Sequence, residues 1–348
     1  MINRDTLKAA LDAGIITELQ ASSLEKLSIS RQEARSNLSV VDEPFEIFRG
    51  FNEIFIVVGL GILAMGWYVL IAVVANFNNI PTLCLFSAIP IWLLSEYFIR
   101  QRRMLAPAIA LALLFSANAA SGFVAQFAQV FMIAQQDYSS LLLPFGLTII
   151  SLTIFWWRFA VPFSMMLIAL SIFSFALLLT VVQTDVPLTT TNLFHLSGRG
   201  PFAWVTIIFG AFSFIAAMWF DMSDPHRVTR RSAQGFWLHL VAAPALVNPI
   251  ALSLIEQDTF VSNVTLLIVL LLFSIIAVII NRRSFLIAAA SYCVALCFVV
   301  FDNASTGLIL LSLGTLLVVF GAAWERIRSR VLALFGPILP LDRLPPST

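Results

Sequence analysis

Charge is the scarcest commodity in this sequence. Only 11% of its 348 residues are charged, whereas 60% are apolar and the mean hydropathy is +0.95. An ordinary soluble domain is about 45–50% apolar and about 25% charged. Too little polar surface is left for water to solvate, which excludes a soluble enzyme and a disordered chain. A net charge of only +1 gives no electrostatic footprint for nucleic acid. Cysteine is also scarce. Cys84, Cys293 and Cys297 all lie inside apolar runs and supply neither a disulfide framework nor metal-ligand spacing. Cys293 and Cys297 share a helix face one turn apart and read as packing residues, since no His or carboxylate is near them in sequence. The sequence lacks HExxH, GxSxG, a phosphate-cradling glycine loop and paired catalytic carboxylates. No catalytic residue, cofactor or metal site is therefore expected, and the chain is not read as an enzyme. The first ten residues carry charges and no apolar run follows them, so no secretory signal is expected.

What the sequence has is hydrophobic length. A helix needs about 20 apolar residues to cross about 30 Å of hydrocarbon. Ten such runs are read, at 54–74, 81–99, 104–125, 141–157, 159–182, 201–220, 233–254, 261–280, 284–301 and 306–324. The fourth and fifth are separate because one long helix would bury Arg158 at mid-membrane. The expected fold is an all-α, polytopic membrane protein. Residues 1–43 form a cytoplasmic helical hairpin, 44–53 a linker, 54–324 a ten-helix transmembrane domain and 325–348 a cytoplasmic tail ending in a Pro-rich stretch. In the linker, Phe45, Phe48 and Phe51 recur every third residue. That spacing suits a short interfacial helix, or equally a plain lead-in to the first span.

The hairpin is legible in detail. Leu7, Ala10 and Leu11 mark one helix face, and Gly14 stands where a C-terminal cap belongs. Thr17-Glu-Leu-Gln20 has the form of a capping box opening a second helix, whose apolar stripe is Leu19, Leu24 and Leu27. So short a hairpin must lean on the membrane body, a protein partner or another copy.

The phrase running from Leu7 to Ala21 resembles the N-terminal module of the DUF2157 family of bacterial membrane proteins, in which a helix, a GlyIle-polar turn and a second helix precede many transmembrane helices. A second stretch, Ala125 to Asp137, is similar to a Gln-containing segment of that family that ends in an acid. Gln136 stands where the family usually has Gly. The resemblance implies a polytopic membrane fold with a soluble hairpin and carries no activity with it.

Orientation follows from the arginines and lysines, which are retained on the cytoplasmic side. With ten spans and both termini inside, nineteen of the twenty fall on the inner side and only Arg199 lies outside. The chain is thus expected in the cell (inner) membrane.

Polar groups within spans are the default site candidates, because hydrocarbon penalises them. Glu96 reads as an acid snorkelling towards Arg100, Arg102 and Arg103, with a proton-coupling carboxylate as the alternative. Asn118, among small residues, reads as hydrogen-bonding glue at a close helix crossing, or else as a substrate contact. Gln126 and Gln129 share a face at the outer end of the same span and either line a cavity or extend the helix into water. His239 is a structural or a proton-relaying histidine. Pro244 and Pro249, with Asn248 beside the second, favour a kinked or broken seventh span, as secondary transporters use. In the inner loop, Asp224-Pro225 reads as the start of a short helix that would set Arg227, Arg230 and Arg231 on one face towards anionic lipid headgroups. Asp221, Asp224 and His226 are a weak metal candidate in the same loop. Three functions remain open: a small-solute or ion permease, a non-catalytic sensor or scaffold recruiting a partner through residues 1–43, and, well behind, an enzyme acting on lipid-linked substrates.

Overall fold

The computed structural model describes residues 52–74 and 79–282 apart from 199, 228 and 258, together with 10–27 apart from 18 and 25, and 322–335. It also describes the isolated positions 311, 314, 315, 318 and 344. The ninth and tenth expected spans, the Phe45–Phe48–Phe51 segment, Cys293 and Cys297 lie outside the described residues.

The described chain is all helical. Among the described residues, eight helices are long and apolar enough to cross a membrane. They are α1 (Asn52–Val74), α2 (Ile80–Ser95, continued by a π-helical turn through Gln101), α3 (Leu105–Phe127), α4 (Leu142–Phe159), α5 (Phe163–Thr184), α6 (Phe202–Ser223), α7 (Arg230–Gln257) and α8 (Phe260–Ile279). A shorter helix, α9 (Trp324–Phe335), packs on α8. The boundaries have local causes. Pro81 sits in the first turn of α2, where its missing N–H costs nothing. The break between α4 and α5 falls at Ala160–Pro162, with Ala160 in the left-handed region at φ 49. Thr259 and Ser262 close a reciprocal capping box at the start of α8.

Among the described residues, the helices pack through three apolar cores. One joins α1 to α5 around Leu111, Leu152, Phe155 and Phe159. There Trp92 lies edge-on to Phe115, Phe155 and Phe159, a favoured arrangement for the ring quadrupoles. A second joins α7 and α8 through Ala242, Ala243, Val247, Leu266 and Leu270, and a third joins α5, α6 and α7 through Ala169, Ala217 and Leu238. α7 is the most enclosed helix and forms its most extensive contact with α6. Gly210 permits that approach, since a Cβ there would meet Leu246 Cγ at 2.9 Å. Outward faces carry Phe55, Met65, Phe212, Trp219 and Leu271, all exposed. A water-soluble bundle would bury such side chains; a lipid-facing one displays them.

Two expectations change. The segment after Asp224-Pro225 is a turn, not a short helix, and α7 begins only at Arg230. Arg227 takes φ 54, which no right-handed helix accommodates. Asp224 accepts instead from the backbone N–H and hydroxyl of Thr229, at 2.7 and 2.8 Å, leading into α7. Nor is α7 broken, for it runs as helix through Pro244 and Pro249. In the N-terminal segment, Gly14 has φ 66 and the Ile15 N–H bonds Ala10 O at 2.9 Å, closing the first helix. Thr17 and Gln20 make both bonds of the capping box, at 2.9 and 3.3 Å.

Candidate functional site at the charged end of the bundle

The ends of α2, α4, α6 and α8 and the beginnings of α1, α3, α5 and α7 form one end of the molecule. Two polar features meet there. The first is a buried ion cluster. Asp221 ends α6 with its carboxylate facing α7 and the residues after α8. Oδ2 accepts from His239 Nε2 and from Arg282 Nε, each at 3.0 Å, and Oδ1 accepts from Arg282 Nη2. The same guanidinium donates to Ser232 O at 2.7 Å. The side chains of His239, Asp221 and Arg282 are 0, 6 and 9% exposed. A carboxylate only accepts, so His239 carries a proton on Nε2. Gly235 makes the geometry possible, because a Cβ there would stand 2.5 Å from Asp221 Oδ1. The fork-on-carboxylate pairing satisfies both buried charges and ties three helices together.

Around this cluster the loop arginines turn inward. Arg227 Nη2 donates to Ile280 O at 3.1 Å and Asn281 O at 2.9 Å, capping the end of α8. Burial, and then the neighbouring Arg282 guanidinium, pull its pKa down to about 10, so it stays charged at neutral pH. Arg230 is buried at the start of α7. Arg328, fully buried on α9, lies close enough to Arg227 to be felt electrostatically. Trp324 Nε1 donates to Asn281 Oδ1 at 3.2 Å and fixes α9 on the end of α8.

The second feature is an open cleft of about 590 Å³ between the ends of α2 and α4 and the start of α7. Its polar walls are Glu96, Arg100, Arg103, Arg158 and Arg230. The last turn of α2 widens into a π-helix, Glu96–Gln101, followed by Arg103 at φ 52. Glu96 Oε1 pairs with Arg158 Nη2 at 2.7 Å, and Oε2 with Arg100 Nη1 at 3.4 Å. Four arginines and one carboxylate thus face the same cleft.

The residues singled out from sequence do not converge. Asn118 is buried at a helix crossing. Its Nδ2 donates to Cys84 O at 2.9 Å and its Oδ1 accepts from Tyr68 OH at 2.7 Å, linking α3 to α2 and α1. Gly122, one turn further, permits that approach, since a Cβ there would stand 2.8 Å from Cys84 Cβ. Gln126 and Gln129 are exposed at the opposite end of α3. Asn248 is half-buried on α7, nine residues and about 13 Å beyond His239. Of the three loop arginines expected to share a lipid-facing helix face, only Arg231 is exposed; Arg227 and Arg230 are drawn into the protein by the bonds and packing at the ends of α7 and α8. Asp221, Asp224 and His226 do not assemble, and no group of three His, Cys, Asp or Glu side chains comes together among the described residues. Sequence reasoning missed Arg282 and Arg158 as site members, because their partners are distant in the chain. No family model matches this chain, and neither a curated protein nor a solved structure is significantly similar to it.

Proposed function

We propose that this chain is a non-catalytic multi-pass inner-membrane protein that works by binding at its charged, cytoplasmic end, as a scaffold or sensor. The observation that carries this reading is how the polar groups inside the bundle are used. Asn118 and the Asp221–His239–Arg282 set each bond one helix to another, whereas cationic groups surround an open cleft at one end. A permease lines a solute path with such polar residues, and the continuity of α7 through its prolines offers no broken helix for substrate. The N-terminal hairpin supports recruitment of a protein partner. Ile15 and Leu19 are 75 and 81% exposed, an apolar edge of the kind a partner or second copy covers. Gln136 supports the proposed affiliation with the DUF2157 family. Its φ of 55 is the conformation glycine adopts most easily, at the position where that family carries Gly.

The test has two arms. Purified protein in liposomes should pass neither ions nor small solutes above the rate of protein-free vesicles. Cells expressing a chain lacking residues 1–43 should keep the membrane body at normal levels and lose proteins that crosslink to the full chain. Solute flux that depends on the protein would overturn the proposal in favour of a permease. Unchanged crosslinking after the deletion would remove the hairpin from it.

A further inference from the structure

We propose that a pocket at the opposite end of the bundle, between α7, α8 and the loop before α6, binds an organic ammonium that carries an apolar group. The site does not depend on what the charged end binds. The loop is built, not slack. Its short helix, Thr190–Phe194, is capped by Thr189, whose hydroxyl accepts from the Asn192 N–H at 3.1 Å. Asn192 Nδ2 donates to Pro187 O at 3.0 Å, and Thr206 Oγ1 on α6 donates to Leu193 O at 3.2 Å. Three further bonds latch the loop to the last turns of α7. The Leu196 N–H donates to Ser253 Oγ at 2.7 Å. His195 Nδ1 and Ser197 Oγ both donate to Glu256 Oε2, at 2.7 and 3.2 Å. Leu196 and Ser197 also form one wall of a pocket of about 400 Å³ whose other walls are α7 and α8.

The walls select the chemistry of the ligand. Leu196, Ile250, Leu254 and Val269 suit a compact hydrocarbon group. Glu256 is the one charged residue among the described lining residues. Both of its hydrogen bonds fall on Oε2, which leaves Oε1 as an acceptor. Neither bond neutralises it, since an uncharged imidazole can donate Nδ1–H and a hydroxyl carries no charge. The carboxylate is therefore held in place with its charge unspent. Two hydroxyls of the lining have given their hydrogens away as well, Ser197 to Glu256 and Thr265 to Val261 O at 2.8 Å. These three groups can only accept, so they call for a ligand that donates, and a charged donor forms the strongest bonds to a carboxylate. Depth arranges the two halves. Glu256 is one residue from the end of α7, and Ile250 lies six residues, or about 9 Å, further into the bundle. The ammonium would sit at the helix end and the apolar group deeper, as an amphiphile at a membrane surface does.

The full chain in phosphatidylcholine nanodiscs, titrated in a calorimeter at about pH 8, where imidazoles are ordinarily neutral, should bind phenethylammonium above the level of protein-free nanodiscs. Its uncharged counterpart, 2-phenylethanol, should bind about tenfold more weakly. Glu256→Gln keeps an oxygen for His195 and Ser197 and removes the charge. It should lower the affinity for the ammonium about tenfold and leave that for the alcohol unchanged. The side chain is 52% exposed and the variant can keep the latch bonds, so the fold should survive the change. Val269→Phe fills the apolar part of the pocket and should weaken both probes. Replacing part of the phosphatidylcholine, whose quaternary ammonium has no N–H to give, with phosphatidylethanolamine separates two sources of the same chemistry. Affinity for the probe that falls as phosphatidylethanolamine rises assigns the resident ligand to the bilayer; affinity indifferent to it assigns the ligand to solution. Equal affinities for the two probes, ammonium binding indifferent to Glu256→Gln or to Val269→Phe, or no binding of either probe would overturn the site.

Discussion

At the scale of single residues, the decisive positions are those where a side chain or backbone angle has no local reason. Asp221 and Arg282 are 61 positions apart and nearly sealed from solvent. Removing one partner of a buried pair strands the other charge, at a cost of about 3–5 kcal/mol, whereas removing both leaves polar shape without net charge. Asp221→Asn and Arg282→Met should each destabilise the protein strongly in detergent unfolding, and the double variant should lie closer to wild type than the sum of the two. Additivity within about 0.5 kcal/mol would show that the pair is not coupled. Gln136 is the reverse case, a residue under backbone strain. It closes a short helix at φ 55, where a Cβ is disfavoured by about 1–2 kcal/mol. Gln136→Gly should therefore stabilise the protein by up to about 1 kcal/mol, the added freedom of the unfolded chain offsetting part of the gain. A lower unfolding midpoint would mean that the Gln side chain contributes more than its backbone costs.

At the scale of helices, glue and packing divide the work. Asn118 bonds both Tyr68 on α1 and Cys84 on α2, so one amide sets the crossing of three helices. Interhelical hydrogen bonds in membranes average about 0.6 kcal/mol and reach about 1.7. Asn118→Leu should thus cost about 1–2 kcal/mol in unfolding experiments, and Tyr68→Phe about half of that; no loss from Asn118→Leu would mean that apolar packing alone holds the crossing. The role of this residue was legible from Ser-Ala-Asn-Ala-Ala-Ser-Gly, because small neighbours around one amide describe a close crossing by themselves. The spans α1–α8 and the Gly14 and Thr17–Gln20 caps were legible for the same reason, each being written within a few residues of chain. The loop after α6 was not. Asp224-Pro225 has the local form of a helix start, but Thr229 and the carbonyls ending α8 compete for Asp224 and Arg227, and those partners are set by the tertiary fold. The same holds for Arg158 and Arg282, which read in sequence only as topology charges. α9 was legible and passed over: Trp324, Arg328 and Leu332 are buried at a spacing of four, an amphipathic stripe inside what reads as a tail.

At the scale of the whole molecule, the fold carries a parity that does not depend on the number of spans. Glu53, in the first turn of α1, accepts from the Ala106 N–H at the start of α3, so α1 enters at the charged end. Asn281, just after α8, accepts from Trp324 at the start of α9, so the chain is again at the charged end at residue 324. Residues 282 and 324 therefore lie at the same end of the molecule. α9 returns Arg326, Arg328 and Arg330 to the end that already holds Arg100, Arg158, Arg227 and Arg282, while Asp137, Asp185 and Glu256 stand at the opposite end. Cationic residues are retained in the cytoplasm, so the charged end should face inward. Alkaline phosphatase fused after Thr348 should accordingly be inactive, and a fluorescent protein fused there should glow. Phosphatase inserted between Gln136 and Asp137, in the exposed turn before α4, should be active. The inverse pattern would reverse the orientation and move the arginine cleft away from the cytoplasmic leaflet. Activity at both positions would break the parity itself, and with it the pairing of α9 with the end of α8.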